Sequence, residues 1–268
     1  MNRAGSFFGS SLGKKYLMAG TGLVLIAFVT GHLAGNLQIF AAPDHLNGYA
    51  AYLHSLGPTL WVVRVFLLAC VLVHLVVAAQ LTIENHQARP VKYDVRHTIQ
   101  ATLASRTMRW TGVVVLAFVC YHLAQFTIGW AGPDEFKESL ASYTMAADFR
   151  LFGFPVVAAG QPVADVYSMV FLGFSHWIVA VFYIIAVGLL SLHLAHGADS
   201  MFQTIGWRNE RWGAALRRLV AACCLLYFLG NLAIPGAIVT GLAKPAPGTT
   251  AARAAGARGR VAPHLVAR

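Results

Sequence analysis

Long apolar segments separated by short polar stretches make up most of the chain. Five of them stand out, at approximately residues 16–40, 58–83, 110–130, 166–194 and 214–239. As a helix, at about 1.5 Å per residue, each is long enough to cross a hydrocarbon core of about 30 Å. The pattern therefore predicts an all-α integral membrane protein with a bundle of five transmembrane helices. A chain with four spans, in which the fifth segment lies on the membrane, is the alternative.

The remaining residues form connections and a tail. Residues 1–243 are the predicted transmembrane domain, and the Ala/Gly/Pro/Arg composition of residues 244–268 predicts a disordered tail. The connection at residues 132–161 is long enough for an amphipathic helix or a cap. We recognise no internal repeat among the five segments.

Composition narrows the class of protein. Hydrophobic residues make up 57% of the chain and charged residues 11%. Soluble domains carry about 25% charged residues, so this composition excludes a disordered chain and argues against a soluble enzyme. The four cysteines lie inside apolar segments and form no CxxC or CxxCH motif. The sequence therefore lacks the cysteine spacing of a zinc site and of covalent haem attachment.

The chain has a net charge of +10, and its basic residues lie mainly outside the apolar segments. Basic residues concentrate in the N-terminal segment and in the connections at residues 89–109 and 208–218, whereas the connection after the first span has no Lys or Arg. Because cytoplasmic loops carry an excess of Lys and Arg, this distribution predicts a cytoplasmic N-terminus. The C-terminal tail is also basic, although five spans place it on the outer side of the membrane, and this conflicts with the rule that basic residues concentrate in the cytoplasm.

Four of the eleven histidines lie deep in apolar segments, one on each of the first four spans: His32, His74, His122 and His193. An ionisable residue inside a membrane is costly and by default indicates a function. The alternative for any one of them is a neutral histidine hydrogen-bonded to a neighbouring helix.

Depth along the predicted helices separates the four histidines into two levels. His32 and His122 lie about 25 Å and 20 Å from the basic cytoplasmic edge, and His74 and His193 about 15 Å and 6 Å from it. A pair of imidazoles facing each other across a bundle provides the two axial ligands of a haem iron. A closed zinc site needs four ligands at one level, and a proton relay usually recruits acids, which the spans almost lack.

Further candidate residues surround these histidines. Gly31 and Gly35 form a GxxxG motif, which either packs helices closely or makes room for a flat macrocycle. Arg64, predicted at the outer level, is a partner for a haem propionate or a quinone carbonyl, or a structural hydrogen-bond hub. His176, near the outer surface, could also contact a propionate or a quinone. His196 is one turn beyond His193 and is its rival as a ligand.

Seven short motifs follow one another in a specific order: GHLAGNL (31–37), NGYA (47–50), RVFLLACVLVH (64–74), ARPVKY (88–93), YHLAQF (121–126), LHLAHG (192–197) and SMFQTIGW (200–207). Over residues 10–240 the chain thereby resembles the cytochrome b subunit of succinate dehydrogenase, of the single-subunit, five-helix, di-haem b558-type family. The long connection at residues 132–161 departs from that family.

This resemblance implies two haem b groups, the outer one held by His32 and His122 and the inner one by His74 and His193. That pairing matches the two levels inferred from depth. The resemblance also favours His193 over His196, because the family's histidine lies at the same distance from the Gly-Trp at positions 206 and 207.

The resemblance further implies a membrane anchor in the bacterial cytoplasmic membrane. Its partners would be a flavoprotein with FAD and an iron–sulfur protein, both docked at the cytoplasmic face on the basic connections 89–109 and 208–218. Electrons from succinate would reach a quinone, often menaquinone. In a fumarate reductase the same electron transfer would run in the opposite direction, from the quinone to fumarate. The oxidation of succinate itself would lie in another chain.

Two rival functions stay open. One is the cytochrome b anchor of another quinone-linked enzyme, such as a hydrogenase or formate dehydrogenase. The other is a transporter with a histidine relay and no cofactor.

Overall fold

The structure, a computed structural model, describes residues 9–88 and 103–261. Most of the basic connection predicted at 89–109, the N-terminal residues 1–8 and the last residues, 262–268, lie outside the described residues. The chain forms two compact units. Unit 1 comprises the described parts of Met1–Gly31, Trp61–Gly112 and Leu189–Tyr227, and unit 2 those of His32–Leu60, Val113–Gly188 and Phe228–Arg268.

Helices account for most of the described chain. A 3-10 turn, Leu37–Phe40, follows the first helix, and a π-helical turn, Ala124–Ile128, follows the fourth. The helices are α1 Ser11–Asn36, α2 Pro43–Ser55, α3 Pro58–Gln87, α4 Leu103–Leu123, α5 Val166–Ser175, α6 Trp177–Thr204, α7 Gly213–Val239 and α8 Thr250–Val261.

The prediction of membrane-length helices is confirmed. Within the described residues, five helices are long and apolar enough to cross a membrane: Ser11–Phe40, Pro58–Gln87, Ser105–Ile128, Trp177–Thr204 and Gly213–Val239. Large apolar side chains on them point outward, for example Trp61, 64% exposed, and Leu226, 68% exposed. Extended apolar surfaces of this kind are stable in lipid rather than in water. The chain is therefore a multi-pass membrane protein.

The fourth span begins later than the sequence predicts. Residues 166–175 form a separate helix, α5, whose N-terminus is capped by the Asp165 side chain. The backbone then turns extended at His176, with φ −82° and ψ 107°, and the His176 ring contacts Glu135 Oε1 at 2.6 Å. Because this extended residue interrupts the helical hydrogen bonds, the membrane-length helix begins at Trp177.

The connection at 132–161 forms small sheets. Strand β1, Tyr143–Thr144, pairs with β4, Pro162–Val163, and β2, Phe149–Leu151, pairs with β3, Phe154–Val157, both antiparallel. Positive φ angles of 50° at Phe152 and 85° at Gly153 form the tight β2–β3 turn, as in hairpins whose two turn residues are left-handed. Of the two structures expected here, the connection forms a cap and not an amphipathic helix.

This cap packs on α2. Its apolar core consists of Met145, Phe149, Val157 and Val163, against which Tyr49 and Tyr52 of α2 pack. A Cβ atom at Gly48 would lie 2.4 Å from Phe149 Cβ. Glycine at that position therefore permits the close approach of helix and strand.

Part of the predicted disordered tail is a helix, which corrects that expectation for residues 250–261. Three backbone N–H groups at the start of this region donate to side chains near α5: Ala246 to Tyr167 Oη, Thr250 to Asp165 Oδ2 and Ala251 to Ser168 Oγ. Thr249 and Ala251 are buried. Composition did not reveal this helix, because its N-terminus is satisfied by side chains far away in sequence.

The phenol of Tyr143 in the cap gives a prediction about pH. Burial, and then the charge and hydrogen bond of Asp44, raise the pKa of Tyr143 to about 12. Its contribution to stability is therefore present below the ordinary tyrosine pKa of about 10 and is lost as the pH rises through about 12. In an ultraviolet difference titration, Tyr143→Phe should remove a phenol that ionises near pH 12. If the phenol missing from the titration of Tyr143→Phe were instead one that ionises near the ordinary tyrosine pKa of about 10, this prediction would be wrong.

Candidate functional site

The four histidines predicted as ligands lie on four helices, α1, α3, α4 and α6. His74 and His193 belong to unit 1, and His32 and His122 belong to unit 2. Each unit thus contains one of the two pairs inferred from depth.

The rings of His32 and His122 approach each other directly. Their centroids lie 5.7 Å apart and their planes are at 89°. A metal ion between two imidazole nitrogens holds these atoms about 4 Å apart and the ring centres about 6 Å apart, because each bond is about 2 Å long. The two rings are therefore close enough to share one metal ion.

Aromatic side chains and a polar network surround His122. Phe118, Phe126 and Tyr183 have ring centroids within 6.1 Å of its own. Tyr183 Oη lies 3.4 Å from His122 Nδ1 and donates a hydrogen bond of 2.9 Å to Gln125 Oε1. Gln125 is buried in the π-helical turn that follows His122, and such turns are frequent at functional sites.

His74 contacts a threonine on α1. The Oγ1 atom of Thr21 lies 3.1 Å from His74 Nδ1, and the same hydroxyl donates to the carbonyl of Leu17 at 2.8 Å. A Cβ atom at the next residue, Gly22, would lie 3.6 Å from His74 Cε1. The imidazole therefore packs against the backbone of α1.

His193 has the same surroundings on α4. Thr111 Oγ1 lies 3.3 Å from His193 Nδ1 and donates to the carbonyl of Met108 at 3.0 Å. A Cβ atom at Gly112 would lie 3.4 Å from His193 Cε1. His74 and His193 therefore each have a Thr-Gly pair of another helix against the imidazole.

A sequence repeat underlies this similarity. The segments MAGTGLVLIAFVTGHLA (18–34) and MRWTGVVVLAFVCYHLA (108–124) share ten of their aligned residues. The shared residues include a Thr-Gly, at 21–22 and 111–112, that contacts His74 in one segment and His193 in the other. They also include a histidine, at positions 32 and 122, and these two histidines form the other pair. This repeat corrects our expectation that the chain contains none. It is also the signal that could have identified Thr21 and Thr111 from sequence.

The donor set suits a metal bound by two ligands. Within residues 9–88 and 103–261, no group of three or more His, Cys, Asp and Glu side chains is placed to hold a metal ion. Two imidazoles on opposite sides are what the axes of a haem iron require, whereas a structural zinc ion takes four ligands. The close pair His32 and His122 therefore fits a haem that it would hold, and His74 with His193, in the other unit, would be the second such pair.

The two glycines of the GxxxG motif differ. A Cβ atom at Gly35 would lie 2.7 Å from the Tyr49 ring, so Gly35 permits close packing of α1 and α2. A Cβ atom at Gly31 would meet no atom within 4 Å. Of the two roles considered, Gly35 performs helix packing, and Gly31, next to His32, fits the role of making room for a macrocycle.

Arg64 and His176 have protein partners. The Arg64 guanidinium lies 5.0 Å from the centre of the Trp61 ring, in unit 1. His176 pairs with Glu135 in unit 2. Their contact with a propionate or a quinone stays a prediction.

Two surface cavities lie away from the histidines. A cavity of about 240 Å³ is lined by residues that include Phe40, Tyr167, Phe171 and Lys244. Another of about 320 Å³ is lined by residues that include Tyr143, Asp165 and Arg253. Neither is lined by any of the four candidate ligands, and we assign neither a part in haem binding.

Comparisons with known proteins give no match: no family model, no curated protein sequence and no solved structure is similar to the chain.

Proposed function

We propose that the chain is the di-haem cytochrome b membrane anchor of a succinate dehydrogenase, passing electrons from an iron–sulfur partner to a membrane quinone, with menaquinone the expected one. The observation that carries this proposal is the arrangement of four intramembrane histidines as two pairs, one in each compact unit. In one pair the ring centroids are 5.7 Å apart.

Haem, when bound, supplies a carrier that accepts and donates one electron at a time. The chain's own contribution is to hold and orient the ligands. The rings of His32, on α1, and His122, on α4, lie next to each other with perpendicular planes. Tyr183, Thr21 and Thr111 contact the Nδ1 atoms of His122, His74 and His193, so the Nε2 atoms of these three histidines would be the ones to hold the iron.

The ordered motifs favour succinate dehydrogenase over other quinone-linked enzymes. Some motif residues have structural roles here. Asn47 is fully buried and accepts a hydrogen bond from Tyr167 N at 2.8 Å, and the Phe202 and Trp207 rings stack at 5.9 Å. The support for the family therefore rests on the order and spacing of the motifs together with the histidine pairs.

The proposal includes partners and location. The N-terminus would be cytoplasmic in the bacterial inner membrane, and a flavoprotein with FAD and an iron–sulfur protein would dock on the basic connections 89–109 and 208–218. Within the second connection, Arg208 forms an ion pair with Asp199 at 3.1 Å, and Arg211 lies over the Trp212 ring. These arginines are therefore held at the ends of α6 and α7.

Purification of the full-length chain from its native membrane tests the proposal. A pyridine haemochrome assay should give two haem b per chain, and succinate should reduce them in the complex that co-purifies. A folded, colourless protein would overturn the proposal and favour the histidine-relay transporter. Haem together with hydrogenase or formate dehydrogenase subunits would overturn the assignment to succinate dehydrogenase.

A further inference from the structure

Two threonines contact the two histidines of unit 1 in the same way. Thr21 Oγ1 lies 3.1 Å from His74 Nδ1, and Thr111 Oγ1 lies 3.3 Å from His193 Nδ1. The members of each contact are far apart in sequence and lie on different helices. The two contacts are thus independent observations of one arrangement.

The proton of each threonine hydroxyl is already used. Thr21 donates to the Leu17 carbonyl at 2.8 Å, and Thr111 donates to the Met108 carbonyl at 3.0 Å. A hydroxyl oxygen whose proton is engaged elsewhere can only accept. The Nδ1 atom of each histidine must therefore carry the proton that completes the contact. A neutral imidazole protonated at Nδ1 has its lone pair on Nε2, where a metal binds.

We propose that Thr21 and Thr111 are positioning residues, which hold His74 and His193 in the Nδ1-protonated form and so direct both Nε2 atoms to one haem iron. The inference rests on the proposed function, because it concerns a haem bound by these two histidines. Hydrogen-bond partners of this kind fix the orientation of a ligating ring and raise its basicity.

A hydroxyl bonded to the carbonyl one turn earlier is common in helices by itself. Thr30 on α1 forms such a bond, to the Ile26 carbonyl at 2.8 Å, and its side chain is exposed. Thr21 and Thr111 differ from it because the same oxygen also meets a histidine. Thr30→Val is therefore a matched control, since it removes the same hydroxyl and backbone bond from the same helix.

Valine at position 21 or 111 keeps the shape of threonine but removes the acceptor. We expect Thr21→Val and Thr111→Val each to weaken retention of the same haem by about 10- to 100-fold, the range seen when such partners of metal ligands are removed. The midpoint potential of that haem should rise, because a less basic ligand stabilises the ferric iron less. The other haem should keep its potential and its electron paramagnetic resonance signal.

The experiment uses the purified full-length chain, with haem content, redox titration and electron paramagnetic resonance of each variant. Thr21→Ser and Thr111→Ser, which keep an acceptor oxygen, should restore the wild-type potential, and Thr30→Val should match wild type. Suppose that wild type binds two haems. If both valine variants then leave both midpoint potentials unchanged, or if Thr21→Val and Thr111→Val change the potentials of different haems, the inference is overturned and the proposed function stands. A wild-type chain without haem overturns both.

Discussion

Replacement of His193 by alanine is expected to remove one haem from the purified chain and to leave the second haem in place. His193 and His74 lie in unit 1 and have the same kind of threonine contact, whereas the other two histidines approach each other in unit 2. In the proposed di-haem arrangement, a haem that lost one of its two histidines would lose a bond to the protein as well as its position. The pyridine haemochrome assay should therefore fall from two haems per chain to one.

The matched control is His196→Ala, one turn later on the same helix. His196 is half-buried, and the threonine hydroxyl of α4 contacts His193. The control should keep both haems. Loss of haem in His196→Ala with retention in His193→Ala would make His196 the ligand.

The pairing has its own test. The spectrum that remains in His193→Ala should equal that of His74→Ala and differ from that of His122→Ala. If His193→Ala and His122→Ala instead lost the same haem, the pairing by units would be wrong.

Replacement of Asp165 by alanine is expected to lower the free energy of unfolding by about 3 kcal/mol, the combined effect of a lost helix cap and lost hydrogen bonds to a buried carboxylate. Asp165 is 1% exposed. Its carboxylate accepts from Ser168 N at the start of α5 and from Thr250 N at the start of α8. Without it, the buried N–H of Ser168 and the part-buried N–H of Thr250 lose their acceptor.

Thermal unfolding in detergent measures this loss, and limited proteolysis with trypsin at Arg253 reports on α8 directly. Cleavage there should become faster in Asp165→Ala. Asp134→Ala is the control, because Asp134 is exposed in a short 3-10 turn, and it should change stability by less than about 0.5 kcal/mol. An equal effect of both substitutions would show that Asp165 does not anchor α8.

The membrane-length helices were predictable because a run of about 20 apolar residues has few alternatives to a transmembrane helix. Apolar residues alone do not show where a helix is interrupted. The fourth apolar segment reads as continuous from residue 166, yet the extended backbone at His176 divides it into α5 and α6. At that division His176 contacts Glu135, a residue distant in sequence.

The candidate ligands were predictable because an isolated imidazole in an apolar segment is costly. Their pairing by depth agrees with the close approach of His32 and His122. The hydroxyl partners were not predicted, because threonines in transmembrane helices usually bond to their own backbone. The Thr-Gly repeated in residues 18–34 and 108–124 marks the two positions in the sequence. Only the structure shows that each threonine contacts a histidine.

The sequence by itself determined that this chain crosses a membrane several times and that histidines lie within the crossing helices, because both properties depend on residue type and spacing along one helix. Tertiary structure alone decided which hydroxyl contacts which histidine, that the tail contains a helix and where the fourth span begins. Each of these depends on hydrogen bonds between groups far apart in the chain, such as Thr111 with His193 and Asp165 with Thr250.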